Sequence, residues 1–381
     1  MGTRYVVARH CFGGIGDHLS CLIGAWWLAR RTNRTLVVDW RGSRFNADPT
    51  RRHNSFLDFF ELRQTLGGVT VIADDSVNAI EYPTPILPNK WTQAILAGPE
   101  HMKHTAEELA VVNPMVTSNV DPLEPTVVLN QWIEPPPPRA AMKEVLGGLR
   151  PVDSIRAEAQ QFWNEHVGTA PAVAIHIRHG NGENVGWRAA YWLEPIALMR
   201  QLAANSRNDV HRPGLFGRFS DNMPPSLVGT PSQAGAEQRF YRQIATELHR
   251  LSSETGMKNA VPFLFCDAAQ VVEGMRRVLP TLVVRPKRFL EQGTGPLHQL
   301  KASSIELSEY GGIRNAGIES DVTREMFLEI ELMRRCEGLV YMDSGFSVLA
   351  LMGLDENHIA LLRPNLTNRL IVKAMSRLVA L

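Results

Sequence analysis

Residues 173–187 read VAIHIRHGNGENVGW, an apolar run that stops after Ile177 and gives way to a cluster of polar side chains and glycines. Arg178 carries a planar fork of five donors suited to a diphosphate. His176 and His179 can donate hydrogen bonds or exchange protons near neutrality. Gly180 and Gly182 let the backbone turn sharply and turn amide hydrogens toward an anion, with Asn181 between them. Glu183 has the chemistry of a general base. A plainer reading makes this an ordinary strand end, with Ile175 and Ile177 buried and His176 bonded on the opposite face; for His176 the two readings weigh equally. For Arg178 the anion-binding reading is preferred, because strand ends followed by glycines collect ligand-binding residues.

Other groups have chemical potential of the same kind. Trp187 is the preferred platform for the apolar face of a sugar, whereas Tyr191 and Trp192 fit better in the core of a following helix. In CFGGIGDHL the glycines Gly13, Gly14 and Gly16 do not make the dinucleotide fingerprint, and Asp17 reads first as a helix N-cap. Glu329 sits three residues after Met326 and four before Met333, which puts a carboxylate on an apolar helical face and calls for a partner such as a ribose or base. Ser344 and Ser347, around Gly345, lie at a strand-to-helix turn where hydroxyls and amides hold phosphate, or where a serine simply caps the helix. Arg285, Lys287 and Arg288 form either a solvated charge run or the rim of an anion site. Metal signals are weak: His101, His104, His176 and His179 lack acidic or thiol ligands at metal spacing. Without a metal, a leaving diphosphate has to be neutralised by arginine and backbone donors.

These groups need a scaffold. RYVVAR, a glycine turn, an apolar-periodic stretch through Leu19, Leu22, Ile23, Trp26 and Trp27, and RTLVVDW make a βαβ start. GVTVIAD and TVVLNQWI read as further strands, while 76–125 is proline-rich and irregular. EPPPPR is a stiff connector, followed by helical sequence broken near Gly147 and Pro151. Beyond it strands PAVAIHIR, VPFLFCD, TLVVRP and LVYMDS alternate with helices, including EQRFYRQIATELHRLSSETG and TREMFLEIELMRRCEG. Continuous apolar strands in such alternation imply parallel sheets covered on both faces. The expected organisation is α/β, with a domain over 1–155 and another over 156–381, facing across a ligand-binding cleft.

Composition narrows the function. The chain has 381 residues, 44% hydrophobic and 21% charged, which is globular rather than disordered composition. Its 40 basic and 39 acidic side chains leave a formal charge of +1, which gives no support for nucleic-acid binding by bulk electrostatics. Cys11, Cys21, Cys266 and Cys336 are scattered, and the last three have apolar surroundings, as expected of buried thiols in a reducing compartment. No apolar run suits a signal peptide or reaches the about 18 residues of a membrane helix, and Val6 occupies the place where a myristoylation signal needs Ser or Thr. A cytoplasmic protein with no integral membrane segment is expected.

The blocks GGIGDHLSCLIGAWWLARRTNRTLVVDWRGS, HIRHGNGE, FLFCDAAQVVEGMRRVLPTLVVRPKRF with GPLH, and EIELMRRCEGLVYMDSGFSVLA occur in an order that spans most of the chain. Together they resemble the NodZ family of bacterial nodulation α-1,6-fucosyltransferases and, more remotely, eukaryotic core α-1,6-fucosyltransferases. The resemblance implies two Rossmann-like domains of the GT-B type, the first on the acceptor side and the second on the donor side. It also implies GDP-fucose as donor, no metal, and inverting transfer to the 6-hydroxyl of N-acetylglucosamine in a chito-oligosaccharide or related glycan. Carried over by position, Arg178 resembles the arginine that neutralises the diphosphate, and His179 and Asn181 its neighbours. Asp267 falls in the second motif, Glu329 at an acidic position directed at the nucleotide, and Ser347 at a hydroxyl near the phosphates; His176 and Ser344 are grouped with these donor-binding residues. The loop near 206–235 and the region 83–125 depart from the family pattern, which leaves the acceptor less defined than the donor.

An inverting transfer needs in-line attack on C1, a base, and charge compensation on the departing group. Arg178 supplies the compensation, Glu183 is the first candidate for the base, and Asp17 is held in reserve. Two alternatives stand beside this expectation: a transferase for another GDP-sugar or acceptor, and a sugar- or nucleotide-binding protein without turnover.

Overall fold

The computed structural model describes residues 2–379 except 10–13, 44, 49, 62–63, 99–105, 119, 131–136, 180–190, 192–194, 196–197, 200–232, 288, 290–305, 308–312, 315–319, 343, 345, 348–353 and 365. The chain forms two compact units. The first comprises Met1–Gly168 together with His298–Arg335 and Ser344–Leu354, and the second Thr169–Leu297, Cys336–Asp343 and Asp355–Leu381.

The first unit opens with β1 (Tyr5–Ala8), α1 (Ile15–Thr32) and β2 (Thr35–Val38), then β3 (Thr65–Leu66), β4 (Val69–Ile72) and β5 (Ile86–Leu87). Helices α2 (Gln93–Ala97) and α3 (Ala106–Thr117), strand β6 (Thr126–Leu129), and helices α4 (Arg139–Gly148) and α5 (Asp153–His166) complete its first segment. The sheet order is β3-β4-β2-β1-β6-β5, with only β3 antiparallel to its neighbour. Val6, Val7, Leu36, Val37, Val127 and Val128 are fully buried, as expected when helices cover both faces of a parallel sheet. Helix α1 ends at Asn33, which adopts the left-handed conformation that closes helices.

The second unit contains β7 (Ala172–Ile177), α6 (Gln233–Glu254), β8 (Val261–Cys266), α7 (Ala269–Val278) and β9 (Val283–Val284). The antiparallel pair β10 (Glu306–Leu307) and β11 (Ile313–Arg314), and then α8 (Ser320–Arg334), return to the first unit. Strands β12 (Gly338–Tyr341) and β13 (Ile359–Leu361) and helix α9 (Leu366–Val379) belong to the second. Its sheet is wholly parallel, in the order β13-β12-β7-β8-β9. Val173, Ile175, Ile177, Leu264 and Cys266 point into one core with Phe240, Ile244 and Leu248 of α6 and Val271 and Met275 of α7.

The division of the chain differs from a boundary at 155/156. Helix α5 belongs with the first unit because α8 returns to pack on it. Phe327 of α8 stacks on Phe59 with ring centroids 3.9 Å apart and meets Phe45 and Phe60 edge to face. Arg334 donates to the carbonyls of Leu146 and Leu149 at the end of α4, and Arg335 to Gln160 of α5. Arginine side chains thus close carbonyls that a helix end leaves without intrahelical partners. Arg31 does the same for α3, through the carbonyls of Met115, Val116 and Ser118.

Region 76–125 is more ordered than its prolines suggest. Tyr82, Ile86, Trp91, Ile95 and Leu96 form a core with Val7, Val37 and Val128, and α3 contains Pro114 within its length. Three strands and a helix not read from the sequence, β3, β5, β13 and α9, extend the sheets and the C-terminal layer.

At the C-terminal ends of β1 and β2, Asp39 is fully buried between Arg9 and Arg41. Its Oδ2 lies 3.1 Å from Arg9 Nη1 and 2.9 Å from Arg41 Nη2. The guanidinium groups also donate to carbonyls ending α2: Arg9 and Arg41 both to Leu96, and Arg41 to Ala97. Burial pushes the Asp39 carboxyl up, but the two arginines outweigh burial and hold it well below the usual carboxylate range. Removing one member of such a group strands the others in a dry interior. Asp39→Ala is therefore expected to cost about 3–5 kcal/mol in urea unfolding, against less than about 1 kcal/mol for Arg250→Ala on the exposed face of α6. Equal losses in the two variants would refute this ordering.

Candidate active site

The register of β7 on β8 builds the site. His176 lies opposite Phe265 and Ile177 opposite Cys266, so the residues that leave the two strands next, Arg178 and Asp267, emerge side by side. Asp267 binds both residues of the β7 exit. One carboxylate oxygen, Oδ2, accepts from Arg178 Nη1; the other, Oδ1, accepts the His179 backbone N–H at 2.7 Å. The Arg178 and Asp267 side chains are 15% and 24% exposed, enough shielding to strengthen the pair while leaving it reachable.

Asp267 lies two residues before α7, whose first turn carries Gln270. The Gln270 amide nitrogen is 3.3 Å from His179 Nε2. In that arrangement Nε2 accepts, and a neutral ring carries its proton on Nδ1. Burial favours the same state: it pulls the His179 pKa below its ordinary value, Arg178 adds to the effect, and Asp267 and Glu237 oppose it without reversing it. Gln270 and Glu237 were not legible as site residues, since only the fold brings α6 and α7 to the end of β7.

Arg285 leaves the end of β9, the strand beside β8, and is buried rather than part of a solvated run. The Lys287 ammonium lies 5.2 Å from the centroid of the Phe289 ring. His176 is buried on the sheet face opposite Ile175 and Ile177, in register with Phe265 and Tyr341. Tyr191 is a core residue, as its sequence context suggested: its ring meets Phe240 edge to face and its hydroxyl donates to the Leu362 carbonyl.

The remaining candidates belong to the first unit. Asp17 does not cap α1 from the N-cap position; Gly14 holds that place, and Asp17 reaches back from the first turn to accept the Gly14 N–H at 2.7 Å. Its carboxylate thus has a structural task. Glu329 is half-buried on α8, beside buried Leu328, Ile330 and Met333. Ser344 and Ser347 are buried with their hydroxyl oxygens 3.0 Å apart, and the Ser347 N–H donates to the Ser344 carbonyl and hydroxyl, a capping arrangement. Asn181, Glu183 and Trp187 lie outside the described residues, as do GPLH and most of the 206–235 loop. Among the described residues no group of three or more His, Cys, Asp or Glu side chains forms a metal-binding cluster. Cys21, Cys266 and Cys336 are buried free thiols.

The model of the family described as nodulation protein Z (NodZ) matches residues 2–214. Nodulation protein Z of Sinorhizobium fredii is 29% identical over 314 residues, covering 82% of this chain and 82% of the relative. That of Bradyrhizobium diazoefficiens is 28% identical over 299 residues, covering 77% and 68%. Among solved structures, NodZ α-1,6-fucosyltransferase soaked with GDP-fucose superimposes with a TM-score of 0.58 at 20% identity, covering 96% of this chain and 97% of that one. The same enzyme co-crystallised with GDP gives 0.56 at 22% identity, covering 92% of each. The likeness to these structures shows a shared α/β fold.

The environment of His179 has a measurable signature. Its ring is expected to titrate below the ordinary histidine value of 6.5 in an NMR pH series. A histidine whose folded pKa is depressed contributes stability that is present above 6.5 and lost as pH falls through the folded pKa. Replacement by Gln should remove that part of the pH dependence; a His179 midpoint at or above 6.5 would contradict the site's electrostatics.

Proposed function

The chain belongs to the nodulation protein Z family, and on that footing we propose that it is an inverting α-1,6-fucosyltransferase that moves L-fucose from GDP-fucose to a 6-hydroxyl of N-acetylglucosamine. The acceptor class proposed is a chito-oligosaccharide or related glycan. One observation carries the assignment to specific residues: Arg178 is fixed at the C-terminal edge of a parallel sheet by Asp267, where α/β folds bind ligands.

In this reading the acceptor oxygen attacks C1 of fucose from the face opposite the diphosphate. The bond from C1 to the phosphate oxygen breaks and its electron pair leaves with GDP. The hydroxyl proton passes to a carboxylate, with Glu183 the first candidate; Asp17, which holds the start of α1, is the weaker one. Arg178 meets the charge that accumulates on the departing diphosphate, so its contribution grows toward the transition state. His179, held neutral by burial, adds polarity beside Arg178 without a second positive charge. Asn181, Glu329, Ser344, Ser347 and His176 are proposed for the donor side. Arg178 and Arg285, at the ends of the two strands that flank β8, support diphosphate neutralisation by side chains, and hence transfer without a metal. The three buried free thiols suit a cytoplasmic enzyme, and no helix among the described residues is long and apolar enough to cross a membrane.

Mass spectrometry of mixtures with GDP-fucose and chito-oligosaccharides should detect a product one deoxyhexose heavier, with GDP released in equal amount. Transfer should persist in excess EDTA; loss restored by magnesium or manganese would refute metal independence. Arg178→Ala should lose at least about a hundredfold in kcat/KM, and Arg178→Lys should remain impaired because it keeps the charge but not the fork. A folded Arg178→Ala enzyme within a few-fold of the parent would remove Arg178 from the transfer site.

A further inference from the structure

We propose that Asp267 is a positioning residue for sugar transfer: its carboxylate sets the orientation in which Arg178 meets the donor diphosphate, rather than binding the nucleotide itself. This rests on the fucosyltransferase reading above and departs from the donor-ligand role that the family resemblance implies for Asp267.

The two carboxylate oxygens divide the work. Oδ1 holds the backbone N–H of His179, and Oδ2 holds Nη1 of Arg178. One rigid group therefore fixes both the path of the chain leaving β7 and the direction of the first guanidinium on that path. The position of Asp267 is itself fixed by the paired end of β8 on one side and the start of α7 on the other. An arginine side chain has several rotatable bonds, and holding it in one place before the ligand arrives removes an ordering cost from the binding and transfer steps.

Charge points the same way. A carboxylate close to a diphosphate repels it, so Asp267 weakens ground-state attraction for GDP while it orients the arginine. A nucleotide ligand and a positioning residue then differ in sign. If Asp267 accepted a hydrogen bond from the nucleotide, its neutral variant would bind GDP less well. If it acts through Arg178, its neutral variant binds GDP as well or better, because a repulsion has been removed, and transfers more slowly, because the fork is no longer aimed.

The test is Asp267→Asn, which keeps the side-chain shape and one oxygen able to accept the His179 N–H. Calorimetric titration with GDP and steady-state transfer from GDP-fucose are measured on the same preparations of wild type and variant. The expected result is unchanged or several-fold tighter GDP binding, together with a loss of at least about tenfold in kcat, the scale of a misdirected reacting geometry. In an Arg178→Ala background, Asp267→Asn should cause no further loss in kcat, since the residue through which it acts is gone. Weaker GDP binding, an unchanged kcat, or additive losses in the double variant would each overturn the inference. Should Asp267→Asn fail to fold, Asp267→Glu answers the same question: retained GDP affinity with lower kcat supports the positioning role, and reduced GDP affinity overturns it. Wild-type protein that neither binds GDP nor transfers fucose would instead sink the functional assignment.

Discussion

Parallel pairing of β7 with β8 is the constraint on which the candidate site depends. Parallel strands deliver their C-terminal ends to one edge, and the register decides which residues meet there. With Ile177 opposite Cys266, Arg178 and Asp267 become neighbours although 89 residues separate them in sequence. A slip of one residue would turn Ile175 and Ile177 out of the core with Phe240 and Met275, which makes the register costly to change. Core packing on one sheet face thus fixes the geometry of polar chemistry at its edge.

The first unit uses the same edge differently. At the ends of β1 and β2 its charged residues are sealed: Asp39 lies between two arginines, and those arginines reach the last carbonyls of α2. Full burial allows no ready exchange of partners, because breaking any of these bonds would strand a charge in a dry interior. The pair in the second unit is part-exposed, so water or an incoming anion can reach it. Similar ion pairs therefore differ in what they are suited to: the sealed one to holding a fold, the part-exposed one to the ligand contact proposed for it, and burial separates them.

Much of this was legible in the sequence. Strand and helix alternation, the apolar runs at VAIHI and VPFLFC, and the glycine break after β1 report local physics that tertiary packing reinforces. Arg178 could be singled out because a strand end, a guanidinium and glycines adjoin within a few residues. Its dependence on Asp267 could not be read, because nothing local states the register of two strands so far apart. The path of α8 was hidden for a similar reason: its periodic apolar face demands burial, but the choice of α5 and Phe59 as partners is made by packing. Region 76–125 misled through its prolines, which interrupt periodicity while Tyr82, Trp91, Ile95 and Leu96 still supply enough apolar surface for a core.

The placement of a carboxylate beside the arginine proposed to meet a diphosphate needs a physical account, since the two negative groups repel. Affinity for the nucleotide is only part of what a transferase needs; a site that bound GDP as tightly as charge allows would release its product slowly, and attraction equal in ground and transition states does nothing for the chemical step. An arginine already held by a carboxylate gives up some of that uniform attraction. It keeps the part that grows as the bond to C1 breaks and negative charge moves onto the phosphate. In the proposed role, the interaction between Arg178 and Asp267 lowers ground-state affinity while favouring turnover, and the backbone bond to His179 lets the same carboxylate hold the turn in place as the charge shifts.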